Sequence, residues 1–328
     1  IQLALGKRWL GIVFAVALIL CFGLGFNGLQ TYNMASAIDY YVIEGHETVV
    51  NAIIGLFVVV AVAVVIFGGV HRISVITSWI VPIMAGAYIL ISIWTCVSNL
   101  GDVPAALGLV FGQAFDFSSL AGGFTGSMIM WGIKRGLFSN EAGLGTAPLI
   151  SSAAASKNPA RQALVAMTGP FWCTVVICLV SGLVIVSTLC AHPNLIADAG
   201  VSDGATLANA VFGTIPTIGT PVLMLGIICF AYSTILGWSY YGERVTLYLF
   251  GRRWVPLYIG LYICMGFLGG IGVGDIAWTA TDISNALMAI PNIIMVLLCT
   301  GMVAKETQHY VYDGNIDEED SPVSYTHL

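Results

Sequence analysis

Eight stretches of this 328-residue chain each run for 17 residues or more without an ionised side chain, at 9–37, 48–69, 73–99, 117–133, 162–190, 215–241, 254–274 and 283–304. A helix needs about 20 apolar residues to cross the hydrocarbon core of a bilayer, so these are membrane spans, the fourth of them short and broken by glycines. None has the polar face of a soluble amphipathic helix. They are too long, and too free of period-two alternation, for strands of a β-barrel. Composition agrees: 58% of residues are hydrophobic and 9% charged, with a mean hydropathy of +0.92. A soluble domain carries about 25% charged residues, and no aqueous surface is built from so few. The fold class expected is an all-α polytopic membrane protein.

The connecting loops orient the spans. Lys7 and Arg8 precede the first, and Arg72 lies between the second and third. Lys134, Arg135, Lys157 and Arg161 lie between the fourth and fifth, Arg244, Arg252 and Arg253 between the sixth and seventh, and Lys305 after the eighth. If the spans alternate, all 11 Lys and Arg fall on one side. Glu44, Glu47, Asp102, Asp116, Asp198, Asp203 and Asp275 fall on the other. By the positive-inside rule the basic side is cytoplasmic, the first helix runs outward, and the C-terminus is cytoplasmic. The basic residues are too scattered for a nucleic-acid footprint. On the acidic side, 103–115 and 205–214 are apolar stretches too short to span, expected as interfacial or lid helices. The tail at 313–320 is polar and acidic and reads as disordered. The 8 cysteines have no metal-ligand spacing and read as packing residues, with Cys190 at a helix end the most reachable. Ile1 is not an initiator and no leader precedes the first span, so the sequence is expected to begin in mid-protein.

In lipid, polar side chains and interrupted backbone must face protein, ligand or water, so the few polar residues inside the spans carry the chemistry. Asn27 and Gln30 lie in the outer half of the first span, beside Gly23, Gly25 and Gly28. The Gln30 amide both donates and accepts, which suits a zwitterionic ligand, and equally suits hydrogen bonding between helices. Ser233 and Thr234 sit mid-way along the sixth span; their hydroxyls are hard oxygen ligands for sodium, or bond back to the preceding turn. Trp238, one turn after Thr234 on the same face, is placed to wall a pocket. Glycines concentrate around the fourth span: Gly122, Gly123 and Gly126 open it, and Gly136, Gly143 and Gly145 surround Asn140 and Glu141 after it. So many glycines weaken a helix and free its backbone, as in the discontinuous helices of transporters. The neighbouring charges put Asn140 and Glu141 at the inner boundary, as a gate or hinge, with Lys134 and Arg135 close enough to pair with the acid. Asp282 opens the last span, where an acid favours a helix N-terminus or takes part in proton coupling; Asp275 is the other acid open to coupling, and His71 reads as interfacial. Nothing resembles a nucleophile with its base, a phosphate loop or a metal-ligand cluster, so an enzyme is not expected.

The run 132–148, GIKRGLFSNEAGLGTAP, resembles the signature of the alanine or glycine:cation symporter family, and 157–166 (KNPARQALVA) resembles its continuation. FNGLQ at 26–30, STILGWSYYGE at 233–243 and DISNALMAIPN at 282–292 extend the likeness along essentially the whole chain. The resemblance implies a bacterial inner-membrane carrier that moves alanine or glycine with sodium as coupling ion. It also implies the inverted-repeat fold of the amino-acid/polyamine/organocation group. On that mapping the eight spans are core helices three to ten, about the C-terminal three quarters of a member, truncated at the N-terminus. Residues 1–304 form the transport domain and 305–328 an acidic cytoplasmic tail. Gln30, Asn27, Thr234 and Trp238 would line the substrate site, and Ser233 with Thr234 would complete a sodium site. The fourth span would be a broken helix, interrupted at Gly122–Gly126 or at Gly136–Gly145. The alternatives are a proton-coupled carrier of another small neutral amino acid, or a membrane sensor or scaffold that transports nothing.

Overall fold

Seven of the expected spans are long apolar helices in the computed structural model, which describes residues 1–39, 47–114, 130, 132, 136, 139–141, 143–198, 204–272 and 274–319. The expected fourth span, with Gly122, Gly123 and Gly126 and the charges Lys134 and Arg135, lies outside the described residues except for positions 130 and 132. The helices are α1 (Arg8–Ile38), α2 (Val49–Ile66), α3 (Gly69–Ser98), the short α4 (Val103–Ala114) and α5 (Ala147–Ser151), and α6 (Pro159–Ala191). Then follow the short α7 (Gly204–Gly213), α8 (Gly219–Phe250), α9 (Val255–Gly272), α10 (Gly274–Leu298) and α11 (Thr300–Thr307). Short helices stand at both of the apolar stretches 103–115 and 205–214, as α4 and α7.

With lipid as apolar as leucine, helix association rests on close packing and on hydrogen bonds between helices. α1, α8 and α9 form the centre. One buried cluster joins α1, α8 and α10 through Phe22, Phe26, Trp238, Tyr241 and Met288; a second joins α1, α2, α3, α8 and α9 around Ile235, Tyr258 and Tyr262. A third gathers α3, α6 and α7 at the start of α8. α1 and α9 cross backbone to backbone: a Cβ on Gly269 would lie 2.2 Å from the Gly28 Cα. Just beside that crossing Asn27 Nδ2 donates to the Tyr262 carbonyl, and the Tyr262 hydroxyl donates to the Ile235 carbonyl at 2.7 Å, linking α1, α9 and α8. The outer faces carry exposed large apolar side chains, with Trp9 and Trp254 beside basic residues in the way aromatic side chains mark a membrane interface.

Within α1 the hydrogen bonding widens to π geometry over Ile19–Phe26, a local loosening that tends to mark functional positions. The same occurs in α6 over Phe171–Cys178, directly after Pro170, whose missing N–H forbids the regular bond there.

Three expectations are corrected. α8 continues through Tyr241 to Phe250, carrying Glu243 and Arg244, because charged side chains end an apolar run without ending a helix. α10 begins at Gly274, so Asp282 is two turns inside it rather than at its start. The tail is ordered over 313–319: Asn158 Nδ2 donates to the carbonyls of Ile316 (2.8 Å) and Glu318 (3.0 Å), and Arg161 pairs with Asp317 at 2.7 Å. The segment was expected to be disordered on composition alone; a buried asparagine on another element supplies the partners its backbone lacks.

Candidate functional site

The residues that converge are those of the glycine-rich segment 139–146 and the helices around it. Among its described residues, the backbone is left-handed at Glu141 (φ 51°), Gly143 (φ 81°) and Gly145 (φ 85°). Glycine takes that region freely, whereas glutamate does so at about 1–2 kcal/mol, so the surroundings must hold Glu141 in place. At Gly145 a Cβ would also lie 2.7 Å from Asn292 Oδ1 and 2.9 Å from the Phe14 ring, so no larger residue fits.

Four long helices grip this segment. Thr174 of α6 donates to Asn140 Oδ1 at 2.6 Å, and Asn292 of α10 donates to the Gly143 carbonyl at 2.8 Å. Leu144 is buried in the cluster of α1 and α8. From α8, Trp238 Nε1 donates to Glu141 Oε1 at 2.9 Å. Thr146, fully buried, donates to Oε2 at 2.5 Å. Removal from water pushes the Glu141 carboxyl above its usual range, while the bonds from Thr146 and Trp238 pull it back. Gly136 is helical, and a Cβ there would meet none of the described residues.

Trp238 is itself buried. Its ring lies 4.9 Å from that of Phe22 and 4.4 Å from that of Phe26, with Tyr241 edge-on to Phe22 at 5.7 Å. Such aromatic pairs add about 0.5–1.5 kcal/mol each beyond the area they bury. These contacts also fix a register. α1 and α8 run antiparallel, because Gly11 meets Tyr248, Phe22 meets Tyr241, Phe26 meets Trp238, and Met34 shares a cluster with Ala231. One turn beyond Phe26 on α1 is Gln30, and one turn before Trp238 on α8 is Thr234, so the two stand at the same level.

The remaining candidates are placed as follows. Gln30 is partly exposed and accepts a long bond from Asn33, 3.5 Å. Ser233 and Thr234 both donate to the Phe230 carbonyl, at 2.9 and 2.8 Å. A hydroxyl keeps two lone pairs when its proton is so committed, and these are what a cation would use. Asn27 is fully buried with its amide on the Tyr262 carbonyl, so it joins helices here. The sequence reading missed Phe22, Thr146, Tyr241 and Asn292. Their only signal was position within or beside the motifs, since the partners of Phe22, Tyr241 and Asn292 lie far away in the chain and the short-range pairing of Thr146 with Glu141 has no pattern of its own. Glu141, expected at an inner gate, and Trp238, expected to wall a pocket, are directly bonded to each other.

Beside Glu141 and Tyr241 is a cavity of about 410 Å³. It shares Ala147, Ser151, Gln162 and Ala166 with a second, of about 640 Å³, that opens over the junction of α5 and α6 near Lys157.

Residues 1–324 match the Sodium:alanine symporter family. Among curated relatives, the chain is 41% identical over 310 residues to the sodium/alanine symporter AgcS of Methanococcus maripaludis, covering 93% of this chain and 66% of that one. It is 33% identical to the amino-acid carrier protein AlsT of Bacillus subtilis (94% and 64%) and 30% identical to that organism's probable sodium/glutamine symporter GlnT (93% and 62%). The chain therefore spans about two thirds of the length of these relatives. With a family match over nearly every residue, and with the family's glycine-rich motif forming the point where four long helices meet, this chain belongs to the sodium:alanine symporter family.

Proposed function

We propose that the protein carrying this chain is a secondary active symporter of a small neutral amino acid, alanine or glycine, driven by sodium through alternating access. The observation that carries this reading is the antiparallel register of α1 and α8, which supports a site with Gln30 facing Thr234 and the Trp238 indole one turn nearer the basic end. There the Gln30 amide serves the ligand's charged ends by hydrogen bonds alone, without adding net charge in a low-dielectric site. Sodium takes the lone pairs of Ser233 and Thr234. Asn27 fixes α1 against α9 beneath the pocket. The spans correspond to core helices three to ten of an inverted-repeat transporter fold, with one helical bundle rocking against the other. Sodium and substrate then shift populations by binding one state better than the other. The protein resides in the cytoplasmic membrane, with the basic ends of the helices and the C-terminal segment on the cytoplasmic side.

Uptake of labelled alanine and of glycine into proteoliposomes, using the protein expressed from its intact gene, tests this. Uptake should saturate and should fall to background when choline replaces sodium at fixed pH. Uptake indifferent to sodium but responsive to a pH gradient would assign the coupling to protons instead. Absence of any saturable uptake of either amino acid would remove the symport reading.

A further inference from the structure

The Glu141 carboxylate is served by neutral donors from two directions: the Trp238 indole from α8, and the Thr146 hydroxyl from its own segment. The backbone is held in the left-handed region at this residue, and the segment's flanks are pinned to α6 and α10. Such an arrangement fixes the direction of the carboxylate, and through it the tilt of the indole. The indole stands at a boundary. On one side is the level of Gln30 and Thr234; on the other is Glu141, opening into the 410 Å³ cavity that leads toward Lys157. The rings of Phe22 and Phe26 complete the partition from α1.

We propose that Glu141 is the latch of this partition, a positioning residue whose bond to Trp238 Nε1 keeps the indole across the passage between the substrate level and the cavity at the basic end. Release of the amino acid into that cavity then requires the bond to break, and strain stored at Glu141 is relieved when the segment moves. The proposal rests on the symport reading for its substrate, but the bond and its coupling to α8 do not.

Four forms of the intact protein test it: wild type, Glu141→Ala, Trp238→Phe and the double variant, with Glu141→Gln as the conservative control. Phenylalanine keeps an aromatic ring but removes the N–H that Glu141 receives, together with part of the ring system, so the comparison that counts is the effect of Glu141→Ala with and without the indole. Glu141→Ala should lower sodium-driven accumulation of alanine about tenfold while its KM changes less than about twofold, since the latch touches the indole and not the ligand; a tenfold change corresponds to about 1.4 kcal/mol. Glu141→Gln retains an acceptor oxygen and should restore most of the accumulation. In the Trp238→Phe background, Glu141→Ala should have little further effect. Melting temperatures of the same proteins in detergent should show the same non-additivity, whether or not alanine is transported. Independent effects of the two substitutions in both measurements would overturn the latch, as would a KM that rises tenfold with unchanged maximal rate, which would make Glu141 a ligand contact. A wild-type protein that melts as expected yet takes up no alanine would overturn the symport reading instead.

Discussion

Which polar residues inside a membrane protein bind cargo, and which only tie helices together, is decided by where their hydrogen bonds go. Among the described residues, Asn27 commits its amide nitrogen to a backbone carbonyl of α9, whereas Gln30, three residues later, makes only a 3.5 Å bond with its neighbour Asn33. Gln30 therefore keeps the capacity to meet a ligand's charged ends, and hydrogen bonds to charged groups are worth about 1.5–3 kcal/mol each. Gln30→Ala should raise the KM for alanine tenfold or more in uptake assays on the intact protein, and Trp238→Ala should do so too by removing the pocket wall. Unchanged kinetics in both would take these residues out of the site. The same accounting ranks the contacts of the C-terminal segment. Asn158 is buried and satisfies three partners: it caps α6 by accepting from Arg161 N at 2.8 Å and donates twice to the tail. The Arg161–Asp317 pair is exposed, and exposed pairs contribute about 0–1 kcal/mol. Hydrogen exchange should accordingly show 313–319 released in Asn158→Ala and still protected in Arg161→Ala. Equal protection in both variants would mean that the tail is held elsewhere.

At the scale of elements, glycines set how closely the central helices approach. At the crossing of α1 and α9, a methyl on Gly269 would lie 2.1–2.4 Å from the Gly28 backbone, which cannot yield as a side chain could. Gly260, on the same α9, has open space around it. Overpacking a close contact costs about 1–3 kcal/mol, whereas alanine in an open helical position is favoured over glycine by about 1 kcal/mol. Gly269→Ala should lower the melting temperature clearly and Gly260→Ala should leave it equal or higher; the reverse order would discount the crossing. The sequence announces these helices because charge-free runs have one explanation in length and hydropathy. It misplaces the ends of α8 and α10 because Arg244 and Asp282 interrupt hydropathy without interrupting backbone bonding. The unusual character of Asn140, Glu141, Gly143 and Gly145 was legible as glycine density. Their partners were not, since Trp238 is 97 residues from Glu141 and Asn292 is 149 from Gly143, and no local pattern encodes such pairings.

For the whole molecule, the question is whether the basic loops share one end, as the charge distribution demands. Several contacts outside the charge count support this. Gln2 meets Tyr248 at 2.6 Å, bringing the start of the chain to the end of α8. Arg244 and Tyr248 line a cavity of about 610 Å³ together with Gln2, Pro148, Asn292 and Met295. The tail that follows α11 docks on Lys157 and Arg161. Elements carrying most of the basic residues thus meet at one end, while the turn between α3 and α4, with Asp102, stands 30 helical residues of α3 away from Gly69. At 1.5 Å per residue that is about 45 Å, enough to cross the membrane. Single cysteines introduced into a cysteine-free form of the protein at Gly101 and Gly314, both exposed, report the two ends. A membrane-impermeant thiol reagent added to intact cells should modify Gly101→Cys and not Gly314→Cys, and inside-out vesicles should reverse the pattern. Labelling of both positions from one side would mean that α3 does not cross the bilayer as its length requires, and the gate direction assigned to Glu141 would fall with it.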